Sequence, residues 1–216
     1  MMRTFVIGDI HGCHQALMAL LSKINSPHDQ DTLIFLGDYI DRGPESRQVV
    51  ETVIGLAGSF KRVITLMGNH EEMFNNYLKG VGRDVYLQVG GRQTIASYGG
   101  EAAIAAGGLP AGHQQFFREL DLYWQDDKYI YVHAGVRRGV HLSMQSRDWL
   151  LWSREQGHDT GLGKIVVYGH TAHTRPRITK WGIGIDTGAV YGGRLTCLIL
   201  PDMEFVSVPG RQYWAS

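Results

Sequence analysis

Excess charge of either sign is missing: 21 Lys and Arg balance 21 Asp and Glu over 216 residues. A general nucleic-acid binder carries a basic excess or a basic run, so no nucleic-acid partner is expected. Cysteine is scarce, with only Cys13 and Cys197, and one possible pair does not make a disulfide framework in a chain of this size. No apolar run is long enough to span a bilayer, and the opening MMRTFVIGD passes into a strand-like segment without the apolar stretch of a signal peptide. A cytoplasmic protein with no membrane partner is expected. Nothing in the sequence fixes the oligomeric state, and a monomer is the working expectation.

What is present is a chain able to bury a core, with 44% apolar and 19% charged residues, which argues against disorder. Its 28 glycines are nearly twice the usual share and imply many tight turns or close backbone approaches. The length suits one large domain or two small ones. With no repeat, linker or low-complexity segment, a single domain over 1–216 is expected.

The first seventy residues alternate strand and helix. Thr4–Asp9, Thr32–Asp38 and Arg62–Asn69 read as strands. Leu17, Leu20, Leu21 and Ile24 mark one intervening helix, and Val49, Val50, Val53 and Ile54 mark the buried face of the next. A third helix is expected over His70–Lys79. Asp9 and Asp38 lie 29 residues apart, and Asp38 and Asn69 lie 31 apart. Each interval is one βαβ unit, so the three strands should run parallel with their carboxyl ends together, where open α/β sheets carry their sites. The stretch 81–127 is broken by glycine pairs and is expected to be a mainly helical insertion, with His113–Leu120 its clearest helix. The second half is strand-rich, in short turn-linked segments that suggest an antiparallel or mixed sheet.

One local pattern recurs five times: a strand ends, and a side chain able to bind metal follows, often after glycine. The cases are Gly8-Asp9-Ile10-His11, Gly37-Asp38, Gly68-Asn69-His70, Val132-His133 and Gly169-His170. Asp, His and Asn with no thiolate suit hard to borderline ions such as Mn²⁺, Fe²⁺ or Zn²⁺, and exclude iron–sulfur or Cys₄ zinc sites. Six donors exceed the need of one catalytic ion, whereas two ions sharing a carboxylate would use them. Singly, Asp9 or Asp38 could be a helix N-cap, and Glu71 and Glu72 could serve only the dipole of the following helix. The remaining histidines, His14, His28, His113, His141, His158 and His173, read as ordinary half-buried residues.

The motifs GDIHG (Gly8–Gly12), GDYIDRG (Gly37–Gly43) and GNHE (Gly68–Glu71), followed by VHAG, WSRE (Trp152–Glu155) and GHT, resemble the signature of the PPP-type metallophosphoesterases over nearly the whole chain. The resemblance implies an α/β (α+β) calcineurin-like fold, a β-sandwich of two mixed sheets flanked by helices, with the site at strand carboxyl ends. It implies two divalent ions, Mn²⁺ first and Fe or Zn as alternatives. Asp9 and His11 would hold the first ion, Asp38 would bridge, and Asn69, His133 and His170 would complete the second. Arg42 and Arg154 would grip phosphate oxygens, and His70, oriented by Asp41, would be the general acid.

Within that family, Asp41 and Glu71 resemble the protein-phosphatase branch, while DTGAVYGG (Asp186–Gly193) is shared with bacterial and phage phosphatases and with the diadenosine tetraphosphatases. The leading expectation is therefore hydrolysis of phosphoserine or phosphothreonine in proteins, with phosphotyrosine or small phosphoesters as further substrates, by direct attack of a hydroxide bridging two ions. The alternative is a dinucleoside polyphosphate or nucleotide hydrolase. A non-catalytic phosphoprotein-binding module and a two-metal nuclease are the remaining readings. The first is disfavoured by the intact ligand set, the second by the neutral charge.

Overall fold

The first two N-terminal apolar runs become strands buried on both faces, which is why they read as continuous rather than alternating hydrophobicity, whereas the third forms a partly exposed edge strand. The computed structural model describes residues 2–24 and 30–215, so His28 lies outside the described residues. Strands β1 (Thr4–Ile7), β2 (Thr32–Phe35) and β3 (Arg62–Thr65) are parallel neighbours, as their spacing predicts. On the other side of β1 the C-terminal strands β9 (Arg194–Leu200) and β10 (Glu204–Pro209) pair antiparallel, giving the order β10-β9-β1-β2-β3. A second five-stranded sheet has the order β4-β5-β6-β8-β7. In it β5 (Tyr129–Val132), β6 (Ile165–Tyr168) and β8 (Gly182–Gly184) are parallel, while β4 (Tyr123–Gln125) and β7 (Arg177–Ile178) edge them antiparallel. Both sheets are thus mixed, with helices flanking them.

Side-chain alternation along β1 sets the layers. Val6, in register with Ile34 and Leu198, joins Ile64, Tyr131, Val167 and Ile183 in a core between the sheets. Phe5 and Ile7 face the other way, onto Leu17 and Leu20 of α1 (His14–Lys23) and Val49, Val50 and Val53 of α2 (Ser46–Gly55). Burying each such side chain contributes about 1.5–3 kcal/mol. Ile54 departs from the expected buried face and is a surface residue, because Val49, Val50 and Val53 already fill the stripe that meets the sheet.

The three N-terminal strands end earlier than the apolar pattern suggests, at Ile7, Phe35 and Thr65. Beyond them Asp38 and His11 adopt positive φ (51° and 48°), which breaks the pairing ladder and turns the chain into the loops that carry the site. Helix α3 (Asn69–Leu78) begins one residue before its expected start. The stretch 81–127 holds α4 (Arg83–Tyr86), a π-helical segment kinked at Gly90, α5 (Arg92–Ser97), α6 (Glu101–Ala105) and α7 (Ala111–Glu119), followed by β4. A short helix not foreseen in the sequence, α8 (Arg147–Trp152), covers the outer face of the second sheet through Leu150. No helix among the described residues is long and apolar enough to cross a membrane.

Candidate metal centre

Six parallel strands, three from each sheet, aim their carboxyl ends at one cleft. Asp9 and His11 follow β1, Asp38 follows β2, Asn69 and His70 open α3 after β3, His133 follows β5, and His170 follows β6. Asp38 sits at the centre, its carboxylate 3.3 Å from His11 Nε2 and 3.5 Å from His133 Nε2. Asn69 Oδ1 lies 2.9 Å from His133 Nε2 and 3.1 Å from His170 Nδ1. Asp9 accepts the His170 backbone N–H at 3.0 Å, tying the two sheets together at this end. All six donors foreseen in the sequence therefore converge.

Glycines permit the close approach. A Cβ on Gly68 would collide with the Asp38 carboxylate, and one on Gly169 with the Asp9 carboxylate. Their role is to let side chains from neighbouring strand ends reach the centre, as well as to turn the chain. The turning also falls on residues that are not glycine: His11, Asp38, Asp41, Arg42 and His170 all have φ between 48° and 72°, a conformation costing about 1–3 kcal/mol each that persists where surrounding structure enforces it. The loops after β1 and β2 are stitched together by His11 N–H to Asp38 C=O (2.8 Å), Gly12 N–H to Tyr39 C=O (2.8 Å) and Gly43 N–H to His11 C=O (3.1 Å).

The donor chemistry fits divalent ions. His11 Nδ1 lies 2.9 Å from the Ile40 carbonyl and His133 Nδ1 2.9 Å from the Leu36 carbonyl. A carbonyl accepts only, so Nδ1 of each ring carries the proton and Nε2 presents a lone pair, the arrangement that prepares imidazole as a ligand. Burial lowers the pKa of His11 and His133, and takes His170 down to about 3, keeping all three neutral. Burial, then Asp186 and Asp38, push Asp9 well up, and burial raises Asp186 to about 6. For Asp38 burial acts in the same direction, and with the His133 and His11 rings neutral the Arg42 guanidinium is the fixed positive charge that opposes it. Three buried carboxyls and three neutral imidazoles facing one cleft are a donor set that divalent cations satisfy. Two subsets lie close enough to share an ion: Asp9, Asp38 and His133, and also His11, Asp38 and His70.

His70 has a second tie. Its Nδ1 lies 2.7 Å from Asp41 Oδ2, and both side chains are buried, so Asp41 fixes the ring and leaves Nε2 for another partner. Asp41 is itself held by residues outside the sequence motifs: Thr94 Oγ1 and Tyr86 OH donate to its Oδ1 at 2.6 and 2.7 Å, and its own N–H donates to Thr94 Oγ1 at 2.8 Å. The segment around α4 and α5 thus completes the site, and the Gly90 carbonyl accepts the Arg42 N–H at 3.0 Å. Thr94→Val keeps the shape but removes one donor to Asp41 and one of the two acceptors of its N–H, the other being Ser46 Oγ at 3.1 Å. It is expected to cost about 1–3 kcal/mol, measured by urea unfolding against wild type.

Two further residues have structural places that the sequence reading did not assign. Glu71 accepts the backbone N–H groups of Asp38 (2.9 Å), Tyr39 (2.9 Å), Ile40 (3.3 Å) and Gly68 (3.0 Å). It clamps the loop after β2 onto the start of α3. Burial, then Asp38 and Asp41, raise its pKa, while those four N–H groups favour the anion. Asp186 lies two residues beyond β8 and lines the cleft; the position matches that of His170 after β6, a signal the sequence did contain.

The cleft encloses about 640 Å³. Arg42 and Arg154 both line it, and Arg42 lies 5.6 Å over the Tyr191 ring. Arg42 Nε is buried with no partner among the described residues, leaving a donor for an anion. His173, read from sequence as an ordinary residue, also lines the cleft with a buried, unpartnered Nε2.

This fold and donor set define a metallophosphoesterase, a hydrolase dependent on divalent ions. The model of the calcineurin-like phosphoesterase family matches residues 2–176, and the chain belongs to that family. An asymmetrical bis(5′-nucleosyl)-tetraphosphatase, PrpE, of Halalkalibacterium halodurans is 32% identical, across 96% of this chain and 94% of its own. Among solved structures, one described as a candidate diadenosine tetraphosphatase superposes with a TM-score of 0.75 at 24% identity, over 97% of this chain and 94% of its own. A cold-active protein-tyrosine phosphatase from a Shewanella species does so with 0.70 at 17% identity, over 97% and 80%. Both establish the fold alone.

The named relative overturns the expectation of a phosphoserine/phosphothreonine protein phosphatase. That expectation rested on Asp41 and Glu71. Asp41 holds His70, Glu71 holds loop backbone, and neither lines the cleft. They support the reacting centre whatever is attached to the phosphate, so they carry no information about the substrate.

Proposed function

We propose that this protein hydrolyses a phosphoanhydride bond of dinucleoside polyphosphates, with two divalent ions, Mn²⁺ first among them. The observation that carries the reading is the 32% identity, over nearly the full length of both chains, with a relative named as an asymmetrical bis(5′-nucleosyl)-tetraphosphatase. The cleft is in keeping with it, since its charged floor opens onto walls that include Trp152, Val85, Val89 and Tyr191.

In this reading Asp9 and His11 hold one ion, Asn69, His133 and His170 the other, and Asp38 is shared. Bound there, the ions would supply Lewis-acid charge and lower the pKa of a water. Arg42 and Arg154 grip non-bridging phosphate oxygens, for which the planar guanidinium fork suits two oxygens at once. As an imidazolium with its Nδ1–H held by Asp41, His70 gives its Nε2 proton to the departing phosphate oxygen and is left as the neutral Nδ1–H ring, oriented throughout by Asp41.

Incubation with diadenosine tetraphosphate and, separately, a phosphoserine peptide under identical Mn²⁺ conditions tests the function. The dinucleotide is expected to be cleaved to two different nucleotides, resolved by ion-exchange chromatography. Turnover of the peptide alone would overturn the reading. The acid role has its own test, since His70→Asn is expected to cut kcat about 10²–10⁴-fold for an alkyl phosphate, whose alkoxide leaves poorly. The loss should be smaller for the dinucleotide, whose leaving phosphate is a much weaker base. Equal losses on both would remove His70 from proton transfer.

A further inference from the structure

Beside the metal ligands the cleft carries a wall with no part in hydrolysis. Trp152 closes α8 two residues before Arg154, lines the cleft, and is 40% exposed. Met73 of α3, Val85 of α4 and Val89 line the same cleft, and Val85 is 60% exposed. An apolar wall directly beside a cluster of buried carboxyls and imidazoles is costly to leave to water and marks a surface built to be covered.

The indole is fixed as well as exposed. Its Nε1–H donates to Glu72 Oε2 at 2.9 Å, and Glu72 Oε1 accepts Arg147 Nε at 2.9 Å. Glu72 lies two residues after His70 on α3, so the ring is tied to the helix that presents Asn69 and His70. A bond at the ring edge and an edge-to-face contact with the His170 ring, centroids 6.4 Å apart, hold the plane, so the ring's ordering is met before a ligand arrives. Thr171 Oγ1 and His173 Nε2, on residues that line the same cleft, are buried without partners among the described residues.

We propose that Trp152, backed by Met73, Val85 and Val89 and held by Glu72, is the stacking platform for one nucleobase of the substrate. Thr171 and His173 meet the ribose and phosphate attached to that base. The inference rests on the dinucleotide reading and assigns a nucleoside subsite within it. Stacking accepts any base, because every base has a π-face, so the platform selects for a nucleoside without selecting which one.

The test uses 5′-AMP and inorganic phosphate as competitive inhibitors of para-nitrophenyl phosphate hydrolysis by the Mn²⁺-loaded protein. Both probes offer the metal centre a phosphate, and only AMP offers a base. Wild type is expected to bind AMP about tenfold more tightly than phosphate, and Trp152→Ala to erase that advantage. Trp152→Phe should keep most of it. An AMP advantage that survives in Trp152→Ala, or is absent from wild type, overturns the platform. Diadenosine tetraphosphate given to the same wild-type preparation separates the two levels. Cleavage with no AMP advantage removes only the subsite, whereas failure to cleave removes the reading beneath it.

Discussion

Asp38→Asn is expected to abolish hydrolysis, with kcat/KM falling on the order of a thousandfold or more, because in the proposed centre one carboxylate would serve both ions. The substitution keeps the side chain's shape and removes its charge, so the fold survives and the loss reports on metal binding. Thermal unfolding gives the second readout. A ligand held at a hundredfold its dissociation constant stabilises by about 2.7 kcal/mol, which in a chain of this size is a rise of roughly 5–10 °C in Tm. Wild type is expected to show such a rise with Mn²⁺ and Asp38→Asn to show little of it. A full Mn²⁺ shift in the variant would displace Asp38 from the centre of the site.

Glu71→Ala is expected to be the most damaging change to stability. It strips four backbone N–H groups of their acceptor while leaving them buried. At about 1–3 kcal/mol for each orphaned donor the total is at least about 4 kcal/mol, a large part of the 5–15 kcal/mol typical of a folded domain. Urea unfolding should show a collapse of the midpoint, or no folded protein at all. Glu71→Gln is expected to fall between the two, since one amide oxygen cannot serve donors placed around both carboxylate oxygens. A variant as stable as wild type would mean that the loop after β2 holds its shape without the clamp.

Legibility in the sequence followed the reach of each interaction. The three parallel strands and the donors behind them were readable because each depends on a run of neighbours: an apolar segment, then a polar side chain that burial makes expensive. The clamp made by Glu71 was not legible because its partners Asp38, Tyr39 and Ile40 lie more than thirty residues away, and no local pattern announces them. Tyr86 and Thr94 were hidden more deeply, in a glycine-broken stretch whose short helices have no apolar period to place them. Asp186 was visible in principle, since it repeats the strand-then-donor pattern, but the pattern was followed through only five strand ends. Substrate preference was misread for a related reason: the motifs describe the reacting centre, and the proposed nucleoside subsite lies on cleft walls assembled from α3, α4, α8 and the loop at 171–174.

The left-handed backbone at His11, Asp38, Asp41, Arg42 and His170 has a consequence for anyone engineering this scaffold. At His11, Asp38, Arg42 and His170 glycine would relieve the backbone, so a library selected for heat resistance alone would be drawn toward variants that lose the proposed ligands and the proposed phosphate-binding arginine, whereas at Asp41 the same change would leave Thr94, Tyr86 and His70 without their buried acceptor. Thermostability and turnover should be screened as a pair, because at those four positions gains in one are expected to come at the expense of the other.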